Sequence, residues 1–294
     1  MSVSIHSLHE EFAGEVSGID ITKPLSPADV AAIEAGMDRF AVLVLHDQQV
    51  SDEQQMAFSA NFGPLLNGAN TTMRRENMRL NPAFADVSNI DKEGRLLHAD
   101  DRRRRSSLGN RLWHSDASFR VIPARYSLLS ARVVPPQGGN TEFSDMRAAY
   151  HALDDATRSK IEDLVCEHSQ MHSRMQLGFT EYLPEERKTL APVHHRLVRT
   201  HASTGRKSIY LSAHIGRIIG WPVPEALAFI RDLVEHATQR EFVHAHSWRA
   251  GDLVIWDNRC TMHRVRSYDD LEYPRDLRRT TTLAEGPTAE QPTA

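Results

Sequence analysis

Trp113-His114-Ser115-Asp116 sets an imidazole and a carboxylate two positions apart. In an extended segment alternate side chains share a face, so His114 and Asp116 point together and Ser115 points away. Such a pair can take two adjacent positions on a metal ion. Far downstream, Cys260-Thr-Met-His263-Arg264 offers a third ligand in His263. Two histidines and one carboxylate leave other coordination positions open, which suits a non-haem iron(II) oxygenase. A closed structural zinc site would need four protein ligands, usually rich in sulfur. A bare His-x-Asp is common by chance, so the pair gains meaning only with the distal histidine and the features below.

Beyond His263 lies Arg275-Asp-Leu-Arg278-Arg279. If this is a strand, Arg275, Leu277 and Arg279 face one way and Arg278 the other. An arginine cluster near a C-terminus reads equally well as a solvated surface when taken without context. The run Arg102–Arg105 reads as a solvated surface. His244 and His246 would share a strand face but lack a carboxylate in matching context; with His194 and His195 they read as structural or exposed. Cys260 has no evident base and reads as a buried packing residue.

The elements that must position these groups are mostly short strands. β-type runs occur at Tyr126–Val134, Thr141–Ser144, Leu197–Thr200, Ser208–Leu211, Phe242–His246, Leu253–Trp256 and Leu277–Leu283. Many short strands separated by turn residues suggest a sandwich or jelly roll. Helical patterns interrupt them at Asp154–His168 and Pro224–Gln239. Before them, Val30, Ile33, Met37 and Phe40 recur at helical spacing, and the apolar strand Ala41–Leu45 follows. Ser51-Asp-Glu-Gln54 has the form of a capping box opening a second helix. From about 65 to 110 the pattern is polar and weakly periodic, as expected of a lid-like insertion.

A chain of 294 residues, 40% hydrophobic, can bury a large single core. The simplest parse is one catalytic domain over 1–284 and a disordered tail over 285–294. A charged fraction of 25% and a net charge of -4 give no basic excess to suggest nucleic acid. No stretch approaches the roughly 20 apolar residues of a membrane span. The N-terminus lacks a basic, then apolar, leader. Cys166 and Cys260 form no CxxC, so a reducing cytoplasm fits best.

Three segments carry a specific likeness: Leu112-Trp-His-Ser-Asp-Ala-Ser-Phe119, Gly138-Gly-Asn-Thr-Glu-Phe143 and Trp256-Asp-Asn-Arg-Cys-Thr-Met-His-Arg264. They resemble the taurine dioxygenase family, and within it the branch that acts on 2,4-dichlorophenoxyacetate. The likeness runs from about Leu8 to Leu283 and includes Phe62-Gly-Pro64, Asp145–Tyr150 and His236–Phe242.

The resemblance implies a mainly β fold with flanking helices, a double-stranded β-helix (jelly roll) with iron at one end. It implies Fe(II), with 2-oxoglutarate and O2 as co-substrates and ascorbate as an activity-maintaining reductant. By resemblance, His114, Asp116 and His263 hold the metal; Arg275 pairs with the C5 carboxylate of 2-oxoglutarate, helped by Thr141; and Arg279 binds the substrate anion. A one-step misalignment would exchange Arg279 for Arg278. Asn110, His201 and His214 match substrate-pocket positions, although each histidine reads equally as a hydrogen-bonded core residue. The expected reaction hydroxylates the carbon beside the ether oxygen of an aryloxyalkanoate. Alternatives are a sulfonate, an alkyl sulfate or a natural aryl carboxylate, and, in another class, a non-redox metal-binding jelly roll. The expected partner is a small carboxylate substrate, with self-association into a homo-oligomer.

Overall fold

The computed structural model describes residues 3–9, 12–67 and 78–291. The chain opens with a hairpin of β1 (Ser4–His9) and β2 (Phe12–Ser17). Helix α1 (Pro27–Phe40) follows, then β3 (Val42–Leu45), α2 (Asp52–Ala60) and β4 (Ala85–Ser88). Next come α3 (Arg102–Ser107), β5 (Ala124–Val133), β6 (Thr141–Asp145), α4 (Met146–His151), α5 (Asp155–Ile161), β7 (Val165–His168), α6 (Gln170–Met175) and α7 (Pro184–Thr189). The last part holds β8 (Val193–Arg196), β9 (Val198–Thr200), β10 (Lys207–Ile209), β11 (Ile215–Ile218), α8 (Val223–Ala237), β12 (Val243–His246), β13 (Leu253–Asp257), β14 (Thr261–Val265) and β15 (Asp276–Leu283).

Seven strands form the larger sheet in the order β1-β2-β3-β13-β5-β15-β4, and β12-β6-β14 form the smaller one. The central strands explain the layering. In β3, Val42 and Val44 face one way and Leu43 and Leu45 the other, yet all four are buried. The same alternation splits Leu253 and Ile255 from Val254 and Trp256 in β13. One face packs with Phe143 of the small sheet; the other packs under Ile33, Met37, Phe58 and Phe62 of α1 and α2. This is the jelly roll with helices on its outer face. A third core cluster joins α4 and α8 to Ile215 and Ile218 of β11.

Both early helices are formed, and the expected start at Ser51 is capped. The Ser51 side chain accepts from the Gln54 amide, and Gln54 Oε1 accepts from the Ser51 amide. Ser26 and Asp29 make the same reciprocal box at α1. Three expectations differ from the structure, and two elements were not foreseen. The apolar run from Asp154 is helical only to Ile161. Val165–His168 is instead a strand held by β8 and β11, because long-range pairing outweighs local helical periodicity. The N-terminal hairpin and β14, which carries His263, lacked a recognisable apolar pattern. The segment 65–110 is more ordered than a lid: β4 pairs with β15 and α3 is capped by Asp101, while residues 68–77 lie outside the described residues. Of the tail 285–294, residues 292–294 lie outside the described residues. The rest is tied down: Gln291 bonds the backbone of His194 both ways, and Thr288 Oγ1 meets His195 Nδ1 at 2.8 Å. Polar composition hid this pairing with the edge strand β8.

Candidate metal centre and its cavity

His263 lies in β14, and His114 meets it through a single antiparallel bridge. The extended stretch at His114 ends at once, for Ala117 adopts φ 52° and the chain turns. An alanine in the left-handed region carries strain that the surrounding packing must overcome. Ser115, pointing away as expected, donates to the carbonyls of Leu211 or Thr261 (3.1 and 2.9 Å).

The three ligand candidates converge. Asp116 Oδ1 lies 3.8 Å from His114 Nε2, and Asp116 Oδ2 lies 3.7 Å from His263 Nε2. One ligand atom from each residue falls within 4.8 Å of the others. His114 Nδ1 faces the Leu112 carbonyl at 2.7 Å, and a carbonyl only accepts, so Nδ1 carries the proton and Nε2 presents its lone pair. Burial holds both imidazoles neutral, pushing the His263 pKa well below its ordinary value. Burial would raise Asp116, but the Arg279 guanidinium, helped by the Ser127 hydrogen bond, outweighs it and holds the carboxyl at about 2. Ser127 Oγ donates to Asp116 Oδ2 (2.7 Å) and Asn258 Oδ1 accepts the Asp116 amide (3.0 Å). Two neutral imidazoles and one ionised carboxylate, all buried and oriented from behind, fit a divalent metal such as iron(II).

Around this centre two arginines differ in their partners. Among the described residues, Arg275 is buried without a carboxylate partner. Its Nη atoms reach only the carbonyls of Val87 and Gly139 at 3.4 Å, and Nε has no acceptor. Burial lowers its pKa. A buried guanidinium so poorly paired is costly unless an anion arrives. Gly138 and Gly139, at φ 74° and 70°, make the turn that supplies one of those carbonyls; a Cβ at Gly138 would stand 2.5 Å from the Ser267 carbonyl. Thr141 is buried in the strand that follows, and its Oγ1 accepts from Trp248 Nε1 at 2.9 Å. With that lone pair used, the threonine proton remains to be donated. These donors suit a carboxylate.

Arg279 instead reaches Asp116, donating from Nη1 to Oδ1. Arg278 points elsewhere, to Asp52 (2.8 Å) and Asp276 (3.1 Å). Arg279 borders a cavity of about 920 Å³ together with His114, Asp116, Asn110 and His214. His201 is not on that wall. Its Nε2 bonds Asp257 Oδ2 (3.1 Å) and its Nδ1 accepts from Ser203 Oγ (3.0 Å), so both nitrogens are spent on the protein. The pocket role implied for His201 is not what this placement offers. His244 is half-buried, and His246 binds Asp252 at 3.0 Å, as structural histidines. Cys260 is buried in the inter-sheet core. Trp248 and Ser127 were missed, since neither stands at ligand spacing in the sequence. The arginine run at 102–105 pairs with Glu186, Asp101 and Asp270, and Arg104 is largely buried in doing so, more than a solvated surface would require.

Among the described residues no helix is long and apolar enough to cross a membrane. The family model described as Taurine catabolism dioxygenase TauD, TfdA family matches residues 4–281. The chain is 47% identical over 283 residues to the alpha-ketoglutarate-dependent 2,4-dichlorophenoxyacetate dioxygenase of Cupriavidus pinatubonensis, covering 96% of this chain and 98% of that protein. It is 34% identical to an (S)-phenoxypropionate/alpha-ketoglutarate-dioxygenase of Delftia acidovorans, covering 88% of each. The crystal structure of AAD-2 in complex with Mn(II) and N-oxalylglycine superposes with a TM-score of 0.91 at 55% identity, over 99% of this chain and 100% of that one. These findings overturn the non-redox alternative. The chain belongs to the TauD/TfdA taurine catabolism dioxygenase family and is a 2-oxoglutarate-dependent dioxygenase that uses Fe(II), 2-oxoglutarate and O2.

Proposed function

We propose that this enzyme hydroxylates the carbon beside the ether oxygen of an aryloxyalkanoate such as 2,4-dichlorophenoxyacetate. The hemiacetal so formed collapses to a phenol and glyoxylate. Bound iron(II) with 2-oxoglutarate and O2 supplies the oxidising chemistry, yielding succinate and CO2 and placing one oxygen atom in a C–H bond. His114, Asp116 and His263 would hold the iron. Arg275, with the Thr141 hydroxyl, would hold the far carboxylate of the keto acid. Arg279 would hold the substrate carboxylate, and Asn110 and His214 would line its path.

The observation that carries this reading is Arg279 at Asp116, on the inner wall of the large cavity. Once Asp116 serves the metal, that guanidinium is presented to an incoming anion beside the reacting centre. A fork that grips a carboxylate fixes one C–H bond toward the metal, and that placement is the protein's main contribution. Similarity to dioxygenases of 2,4-dichlorophenoxyacetate and (S)-phenoxypropionate supports an aryloxy acid over other anions.

The same fork would grip a sulfonate, an alkyl sulfate or a plant-derived aryl carboxylate. Succinate yield over a panel of aryloxyacetates, aryl carboxylates, alkyl sulfates and taurine separates these. The expected order puts aryloxyacetates first; equal turnover of taurine overturns the assignment. We place the enzyme in the cytoplasm, consistent with two buried free thiols, and expect it to self-associate, which light scattering of the purified protein measures.

A further inference from the structure

The cavity that Arg279 borders has a second polar corner. Arg174, at the end of α6, extends its guanidinium over Gly109, where a Cβ would come within 2.1 Å of Arg174 Nη1. Only a residue without a side chain leaves this berth. Among the described residues no carboxylate pairs with Arg174. Its Nη1 donates to Ser173 Oγ at 3.2 Å, and its Nε is buried without an acceptor. The Tyr182 hydroxyl, on the same cavity wall, is likewise buried without a partner.

The corner is also built to hold its shape. Ser173 Oγ donates to the Gln170 carbonyl at 2.8 Å, so its lone pairs are left to accept. One takes the Arg174 N–H, and the other takes His214 Nδ1 at 2.9 Å. His214 in turn packs edge-on against His114, with ring centroids 6.1 Å apart, and against Phe119 at 4.9 Å. A continuous set of contacts therefore runs from the metal ligand His114 through His214 and Ser173 to Arg174. Buried donors without acceptors are expensive, and a guanidinium whose Nε lacks an acceptor and whose charge lacks a carboxylate is especially so.

We propose that Arg174 and Tyr182 form a second anion-binding subsite, so that the preferred substrates are aromatic acids bearing a second anionic group on the ring. Arg279 would hold one carboxylate at the metal, as in the function proposed above, and Arg174 the other across the aromatic ring. The inference rests on that reading for the first anchor only. A chlorine or a bare ring satisfies neither donor, whereas a ring carboxylate satisfies both through charge-assisted bonds.

The test compares phenoxyacetate with its meta- and para-carboxylate derivatives, by calorimetry on the anaerobic enzyme loaded with iron(II) and 2-oxoglutarate. At least one dicarboxylate is expected to bind roughly tenfold or more tightly than phenoxyacetate. Arg174→Met should collapse that ratio to about one. Gly109→Ala, which crowds the guanidinium without removing its charge, should lower the ratio in the same direction. Retained binding of 2-oxoglutarate reports that each variant keeps its metal centre. Dicarboxylates that bind no tighter than phenoxyacetate, or a preference that survives both substitutions, overturn the subsite. Succinate formation in air is scored separately. Turnover of phenoxyacetate without a dicarboxylate preference sinks only this inference. A preference in binding with no succinate from any aryloxy acid sinks only the proposed reaction.

Discussion

His114 and His263 exchange both of their backbone hydrogen bonds, at 3.0 and 2.9 Å, so the two imidazoles are registered to each other by main chain rather than by side-chain packing alone. Their rings stand 4.2 Å apart. A metal bound here clips β14 to the segment before β5.

Metal should therefore stabilise the whole fold. At a free metal concentration about 100 times the dissociation constant, the gain is about 2.7 kcal/mol. Thermal unfolding with and without Mn(II) measures it, and Asp116→Ala should abolish the shift. Equal shifts in the wild type and that variant would place the ion elsewhere.

Arg275→Met should have opposite effects on two readouts. Removing a buried cation with no carboxylate partner should leave the melting temperature of the ligand-free protein unchanged or higher. The KM for 2-oxoglutarate should rise roughly 10- to 100-fold, the worth of a charge-assisted hydrogen bond. A variant that loses stability with unaltered KM contradicts the role given to Arg275.

Thr141→Val removes the acceptor of Trp248 Nε1 and the free hydroxyl proton together. Stability should fall by about 1 kcal/mol, and the KM for 2-oxoglutarate should rise several-fold. In Trp248→Phe the same valine substitution should cost less stability, which a double-mutant cycle measures.

Neighbouring arginines on β15 should divide cleanly. Arg279→Ala raises the KM for the aryloxy acid with little change in that for 2-oxoglutarate. Arg278→Ala, which breaks pairs with Asp52 and Asp276, lowers stability and leaves substrate KM near wild type. Steady-state kinetics of the two variants decide between the two alignments of this strand.

Acid should destabilise the fold from the histidine range downward. His195 is fully buried, and burial pushes its pKa from 6.5 to about 4. A group whose pKa is lower when folded stabilises the protein fully above pH 6.5, and this contribution is lost as the pH falls toward 4. Its share is about 3 kcal/mol. His168 shifts in the same direction. Urea midpoints between pH 7 and 4 should fall, and His195→Gln should flatten part of the slope.

The reach of the sequence differed from residue to residue. His114, Asp116 and His263 could be singled out because ligand chemistry restricts residue type and the first two sit close together. Strand alternation placed Arg279 and Arg278 on opposite faces without deciding which meets the substrate, and the structure turns the two side chains in different directions. The partners behind the ligands were invisible: Ser127 reaches Asp116 from a neighbouring strand, and Trp248 reaches Thr141 across more than 100 residues. Only tertiary pairing creates such contacts. Leu43 and Leu45 announced a strand by composition, whereas β14 did not, because Thr261-Met-His-Arg-Val265 mixes polar and apolar residues on a strand buried for the sake of the site. Helical periodicity ran past Ile161 for the converse reason, as local pattern carried no record of β8 and β11.

Helix α2 grips the arginine-bearing strand from behind. Gln55 Nε2 donates to the carbonyls of Leu128 and Arg278, Gln55 Oε1 accepts from Ser130, and Ser59 bonds Thr280. The wall proposed to hold the anion is thus riveted to the sheet at several points, while much of the remaining cavity lining comes from loops and short helices. Changes in ring size or substituent preference can accumulate in that lining without disturbing the distance between carboxylate and iron. What the enzyme grips and what it admits are therefore free to evolve independently.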